Sequence, residues 1–556
     1  MRTESKLLAA AVVAILACVA GGVALFDAAS GDARSAEPTT TELDFTDVTD
    51  DARFDYAAED SAGMGNGNDG VYVADVDNDL RSDVLAIGGP SPVLFENRDG
   101  TFERSDALPS VNGTVQGALF VDYDNDGWED LLLLRRGDAP VFLENEEGSF
   151  RAVDVGLDRE LAVPVTASAA DYTGNGCPDL FVAQYGDWDE TTPTGWQRSF
   201  AFEGSEDNGN ANSLYRGDCD GFERADGAGI EGDHWSLAAS FADLNGDGAP
   251  DVHVANDYYN DTVYWNDGDG TFTRETLGAA TDRNGMSSEV ADMTGDGRLD
   301  VFVTNIYFPQ DLSELDEEQR RVFSDFLNNR LGKRAAGNNL LVGTADGFET
   351  QGEARGLAEG GWGWAAVLAD LDSDGDLDAF HGTQNVITFD ESERTFPTPM
   401  LWVNEDGTFH RQNATASGFA VTNDRGVAGA DFDGDGAVDL ATATYDGEYR
   451  LYRNDAGQGN SLQVALGPGD SNTTALGARV TVTVDGETLT RVNDDEADYQ
   501  SQDSRVRHFG LGDDDAVDRL RVEWADGSVT VVEDVAAGAR ILVTPDGIER
   551  REPYAD

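Results

Sequence analysis

The sequence predicts an all-β protein: a seven-bladed β-propeller, an N-terminal strand closing blade seven, and a small C-terminal β-rich domain. Three observations predict this. A ten-residue acidic stretch recurs in one register as DVDNDLRSDV (75–84), DYDNDGWEDL (122–131), DYTGNGCPDL (171–180), DLNGDGAPDV (243–252), DMTGDGRLDV (292–301), DLDSDGDLDA (370–379) and DFDGDGAVDL (431–440). Each copy runs into a short apolar segment, from VLAIG in the first to LATAT in the last. Behind six of these comes a further strand, a tight turn and a Phe, as in VLFENRDGTF and LWVNEDGTF.

The unit is therefore strand, acidic loop, buried strand, third strand, turn and fourth strand, which is the pattern of a propeller blade. Blade seven departs from it. After RLYRNDAG (450–457) no fourth strand with its Phe follows, and LDFTDVTD (43–50) reads as the missing one. Phe45 to Val48 are expected to complete blade seven and cover an open edge. The domain boundaries expected are 1–35 for a signal peptide or membrane anchor, 36–456 for the propeller and 457–556 for the C-terminal domain.

The acidic loops place oxygen-bearing side chains at positions 1, 3, 5 and 9. These are Asp75, Asp77, Asp79 and Asp83; Asp122, Asp124, Asp126 and Asp130; Asp171, Thr173, Asn175 and Asp179; and Asp243, Asn245, Asp247 and Asp251. The remaining loops supply Asp292, Thr294, Asp296 and Asp300; Asp370, Asp372, Asp374 and Asp378; and Asp431, Asp433, Asp435 and Asp439. Alternating carboxylates on a tight loop suit Ca2+, which takes six to eight oxygens in flexible geometry, better than Mg2+. An EF-hand is excluded, because position 12 is never Glu and a strand follows in place of a helix. The plain alternative, Asp-Gly turns capping hairpins, does not account for seven copies in one register. Thr173 and Asn175 lower the charge of the third loop, and Leu80 replaces glycine in the first. Weaker affinity is expected at both.

The 556 residues carry a formal net charge of −71, with 108 acidic against 37 basic residues. Lys6 and Lys333 are the only lysines. Such an acidic coat on a chain with 40% hydrophobic residues suits a folded protein in a salt-rich, halophilic setting, where salt screens self-repulsion. Nucleic acid and anionic membranes are unsuitable partners. The apolar run 7–26, preceded by Arg2 and Lys6, orients the chain outward and reads equally as a cleaved signal or an anchor. Contact with membrane is expected only there, and the protein is expected outside the cell or at its surface. Cys177 and Cys219 are available for a disulfide in an exported protein.

The acidic loops resemble FG-GAP/VCBS repeats, the calcium-loop blades of integrin alpha-chain propellers. The tail, through GARVTVTVDGETLTRV (477–492), YQSQDSRVRHFGLG (499–512) and VDRLRVEWADGSVTVV (517–532), resembles the ASPIC/UnbV domain. Together they resemble the layout of the cartilage-acidic-protein-1-like family. The resemblance implies an extracellular calcium-binding propeller with an appended β-rich domain, and no settled activity. Leu80 departs from the pattern, as does Ala525, where the family has proline.

A ligand site is expected on the face opposite the acidic loops. The large insertions 187–212, 306–337 and 384–399 fall between second and third strands, on that face. Strand ends there carry His234, Trp235, Tyr258, Glu289, Asn305, Trp364, His381, Asn385 and Arg425, aromatic and hydrogen-bonding groups that suit a glycan or another polar ligand. The competing reading is that they plug the channel and hold the blades together. No two of the five histidines are spaced as a zinc pair. Three functions stay open: a binding or adhesion protein, an enzyme acting on a polysaccharide or small molecule at this face, and a structural envelope component. Oligomeric state is not legible.

Overall fold

In a computed structural model the chain is described for residues 41–58, 68–187, 209–230, 232, 234–277, 284–306, 337–345, 347–384, 398–456, 459–467, 475–495 and 497–555. The apolar run 7–26, Asn385 and most of the three insertions lie outside those residues. Almost all regular structure described is β, with one short helix at Gly352–Arg355.

Seven sheets each contain four strands in meander order. Unit one, for example, is Gly70–Ala74, Asp83–Ile87, Val93–Asn97 and Phe102–Arg104. The first two strands of a unit are buried along most of their length, whereas the fourth buries little beyond its Phe. Covering on both faces is why second strands such as DLLLLR read as continuous apolar runs without alternation. The innermost strands pack in succession: Gly70–Ala74 on Val115–Val121, then Pro164–Ala170, Ser236–Ala242, Glu289–Ala291, Gly363–Ala369 and Asp424–Ala430, with the last returning to the first. The arrangement is propeller-like.

The strand Phe45–Asp47 pairs antiparallel with Arg450–Asn454, opposing Phe45 to Asn454. It is thus the fourth strand of unit seven, and the Phe45 ring packs 4.7 Å from Phe419. The Asn that ends most third strands stitches neighbouring units together. Asn145 Nδ2 donates to the Val76 carbonyl of unit one at 2.9 Å, and Asn97 Nδ2 donates to Phe432 of unit seven at 2.8 Å. In units three and five Gly217 and Gly343 replace this Asn, and their backbone N–H groups alone keep the contact to the ninth loop residue.

The C-terminal domain is two four-stranded sheets around a core including Leu462, Val480, Phe509, Val522 and Trp524. From it a short hairpin, Ala497–Asp498 paired with Ser501–Gln502, enters the space enclosed by the innermost strands. Ser501–Gln502 joins the unit-one sheet as a parallel neighbour of Val71 and Tyr72. The Asp498 carboxylate accepts Ser288 N–H of unit five at 2.8 Å and Ala366 N–H of unit six at 2.9 Å. The Asp503 carboxylate accepts Gly429 N–H of unit seven at 2.9 Å. A Cβ on Gly426 would lie 2.5 Å from the Gln500 carbonyl, so the close approach of the hairpin tip requires glycine there.

Replacing Asp498 by Ala leaves two buried N–H groups unpaired, at about 1–3 kcal/mol each. Asp498→Ala is expected to lower unfolding free energy by about 2–5 kcal/mol in urea titration. A loss below about 0.5 kcal/mol would mean that the hairpin does not hold these units.

Candidate functional site: carboxylate loops and the opposite face

All seven acidic loops fold alike. Position six donates its N–H to the position-one carboxylate at 2.7–3.1 Å in every loop. Position seven donates to the position-five side chain at 2.8–2.9 Å. The position-nine carboxylate is held by N–H groups from the loop and from the end of the third strand, as Asp83 is by Val76 and Asn97. Leu80 adopts φ 70° where the other loops have glycine, the left-handed strain expected of it. Position four is also left-handed, with Asn78, Asn125 and Ser373 among its occupants. The carboxylate pattern alone did not mark that position, although its run of Asn, Gly and Ser was a legible signal.

Backbone donors thus hold positions one, five and nine, while position three is left partly unserved. Among the described residues, Asp77 Oδ1, Thr294 Oγ1 and Asp372 Oδ1 are buried side-chain oxygens with no hydrogen-bond partner. Asp75, Asp77 and Asp83 bring carboxylate oxygens within 4.8 Å of one another, as do Asp122, Asp124 and Asp130; Asp370, Asp372 and Asp374; and Asp431, Asp433 and Asp439. Burial and the neighbouring carboxylates push Asp83 up to about 8 and Asp130 to about 9. The donor set, all hard oxygens with orphans at position three, fits a metal ion. Unit one differs, because Arg98 pairs with Asp77 at 3.0 Å and Arg81 with Asp79 at 2.8 Å, and these guanidinium groups would compete with a cation.

On the opposite face the expected residues separate into four groups. Trp235 is fully buried, edge-on to Tyr185 at 4.8 Å and to Tyr258 at 6.0 Å, with His234 beside Tyr259. Next to them Tyr185 donates to Asp257 at 2.7 Å, and burial pushes Asp257 up to about 7. Asn305 and His381 are interior. Asn305 N–H donates to Asn338 Oδ1 at 3.0 Å, while His381 Nδ1 donates to Gly382 and Nε2 accepts from Asn338. Burial lowers His381 to about 4, so it is neutral. Trp364 and Arg425 stack together, with Cζ 4.7 Å from the ring centroid. Glu289 faces the hairpin, where burial and Asp498 raise it well above the usual carboxylate range. Two residues missed in the sequence stand here as well: Asp69 and Tyr499, the latter packed 4.9 Å from Trp364.

The FG-GAP-like repeat family matches residues 75–133, 122–182 and 243–303, and the ASPIC and UnbV family matches 468–550. The chain carries FG-GAP-like repeats and a C-terminal ASPIC/UnbV domain. No curated protein matches it. Among solved structures it is similar to an Agrocybe aegerita lectin that recognises non-reducing terminal N-acetylglucosamine, at 18% identity over 70% of this chain and 88% of the lectin, with TM-score 0.40. It is also similar to YCF48 bound to a D1 peptide, at 11% identity over 75% and 99% of the two chains, with TM-score 0.39.

The ASPIC/UnbV domain sits on the carboxylate loops. Its Gly510 N–H donates to Asp370 Oδ2 at 2.8 Å, and a Cβ there would collide with that oxygen. Gln463 and Arg540 reach Asp431 Oδ2 at 2.8 and 3.2 Å, and Arg491 donates to Gly375 at 2.9 Å. Arg550 and Arg479 reach the loops of units one and five.

Raised carboxyls set a pH dependence. Asp83, Asp130, Asp179 and Asp251 have folded pKa values of about 7–9, against about 3.9 in an unfolded chain. The folded chain therefore holds protons that the unfolded chain has released, and stability falls as pH rises from about 4 to about 9. In chelator the melting temperature is expected to fall steadily from pH 5 to pH 9, and excess calcium to flatten the curve. A pH-independent melting temperature in chelator would contradict this electrostatic account of the loops.

Proposed function

We propose that this protein is an exported, calcium-stabilised, seven-bladed propeller that acts at the cell surface as a binding or adhesion protein for a glycan or other polar ligand. The observation that carries the reading is the placement of the ASPIC/UnbV domain. Its arginines and Gly510 occupy the carboxylate-loop face at units one, five, six and seven. The mouth at the other end of the innermost strands is then the face left to an outside ligand, and it gathers Trp364, Arg425, Asp69, Asp257 and Tyr499. Calcium in the loops is a scaffold: it neutralises clustered carboxylates and serves the orphaned oxygens of position three. The succession of innermost strands, the contact of the last with the first, and the strand Phe45–Asp47 in unit seven support a closed ring. Export rests on the apolar run 7–26.

An enzymatic reading has one observation in its favour. Asp69 and Asp257, both raised to about 7, act on the Tyr499 hydroxyl electrostatically, and carboxyls poised near neutrality suit proton transfer. Product formation from a bound ligand would decide for it.

Calcium at a hundredfold excess over Kd adds about 2.7 kcal/mol per occupied loop, so chelator is expected to lower the melting temperature at fixed high salt. Asp124→Asn is the cleaner loop variant, since Asp370 and Asp431 also hold the ASPIC/UnbV domain. On a glycan array in calcium, binding is expected to be lost in Trp364→Ala and kept in Asp124→Asn. The reverse pattern in folded protein would put the ligand on the loop face.

A further inference from the structure

We propose that the mouth holds a neutral saccharide by a hydroxyl seated between Asp69 and Arg425, in a composite site whose floor, Tyr499, is supplied by the ASPIC/UnbV domain. The inference rests on the mouth being the ligand face and adds the site and the ligand class. Arg425 is an unpaired bulge residue, between the pairs Asp424–Thr444 and Gly426–Ala443. Trp364 falls in the equivalent bulge of unit six, between Gly363–Thr383 and Ala366–His381. Bulges re-aim side chains, and these two bring the guanidinium 4.7 Å from the Trp364 ring and 4.0 Å from that of Tyr445.

The stacked guanidinium is incompletely served. Its Nη2 donates to Gln384 at 3.0 Å and the guanidinium also acts on the Tyr499 hydroxyl, but among the described residues Nε and Nη1 have no hydrogen-bond partner although the residue is only 5% exposed. Asp69 is 2% exposed, and among the described residues its Oδ2 has no partner either. The two charges feel one another without forming an ion pair. Trp364 Nε1 is a third buried orphan. A buried cation and carboxylate held close but apart is a costly arrangement for a fold to keep empty-handed.

The group that satisfies both must accept from an N–H and donate to a carboxylate, which a hydroxyl does with one oxygen. A cationic ligand would meet Arg425, and an anionic one would meet Asp69 and the −71 net charge, so the ligand is neutral. Trp364 and Tyr499 are interior and back the guanidinium, so the half-buried Tyr445 is the ring that offers apolar surface to a sugar. Tyr445 and Gln384 are half-buried and Asp446 is exposed, so this side of the site meets solvent.

The test titrates the full chain, in calcium and high salt, with neutral and uronic-acid oligosaccharides taken from an array, reading tryptophan fluorescence and heat. A neutral saccharide is expected to bind, at least tenfold more weakly to Asp69→Asn and Arg425→Gln, with the calcium-dependent melting shift unchanged. Its deoxy analogue lacking the bridging hydroxyl should lose the same factor against the natural chain and nothing further against Asp69→Asn. Tyr499→Leu, a change in the other domain, should weaken binding as well. Unchanged affinity in both Asp69→Asn and Arg425→Gln, or binding of uronic acids only, overturns the site. If that binding is still lost in Trp235→Ala, the mouth remains the ligand face; if no saccharide binds at the mouth, both readings fall.

Discussion

Outside unit one, where Ser501–Gln502 pairs with it, the innermost strand of each unit has an edge with no neighbouring strand, and its N–H groups cannot be left buried without partners. The structure depends on how that edge is served. Val71 N–H donates to the Gln500 carbonyl, Phe120 to the Gln502 side chain, and Ala169 to Asp495. Ser288 and Ala366 share Asp498, and Gly429 takes Asp503. One short hairpin thereby ties units one, two, three, five, six and seven to a single axis. A domain at the end of the chain becomes part of the core of the domain before it. The two are separate in sequence and share a hydrogen-bond inventory in space.

The same domain also reads the carboxylate loops. Asp370 and Asp431 are first residues of their loops and also acceptors for Gly510, Gln463 and Arg540. Anything that changes the charge or position of these carboxylates acts on both the loop and the domain seat. A cation held at these loops would therefore be linked to domain docking, in the sense that a ligand favouring the docked arrangement stabilises it by its differential affinity. In unit two the tail domain pairs Arg505 with Glu129 at 2.8 Å, while Asp124 accepts Asp126 N–H within the loop, which makes Asp124 a loop carboxylate set apart from that docking contact.

Much of the fold was legible because repetition fixes register. Seven acidic loops, the Phe behind the turns and the missing fourth strand of unit seven placed the sheets and the strand Phe45–Asp47. Cys177 and Cys219 are bonded, with Cα atoms 5.3 Å apart, as their common position in unit three allowed. The Asn that ends most third strands was visible as a pattern, but its link to the preceding unit was not, since that is a contact of ring geometry. The hairpin was missed for a similar reason. YQSQDSRVRHFGLG stood out as a signature of the tail domain, and nothing in its composition says that Tyr499, Gln502, Asp503, His508 and Gly510 face another domain. On the mouth, residue type alone could not separate interior His381 and Asn305 from Arg425 with its unserved nitrogens. Asp69 escaped because it stands outside any repeat.

Carboxylates make up the charge of this chain, and their partners divide them into three kinds. Exposed ones face water and salt and set solubility. Those of the loops are crowded, and their mutual repulsion adds to burial in raising them. Those of the axis, Asp495, Asp498 and Asp503, are fully buried, where screening by salt does not reach; they are served by backbone N–H groups. Burial raises all three, Asp495 to about 7 and Asp498 to about 6, so backbone donors offset desolvation only in part. Salt therefore acts on only some members of one residue type. A change of medium that suits the surface leaves the axis unaffected, and the axis is stable because its carboxylates take the place of a missing strand.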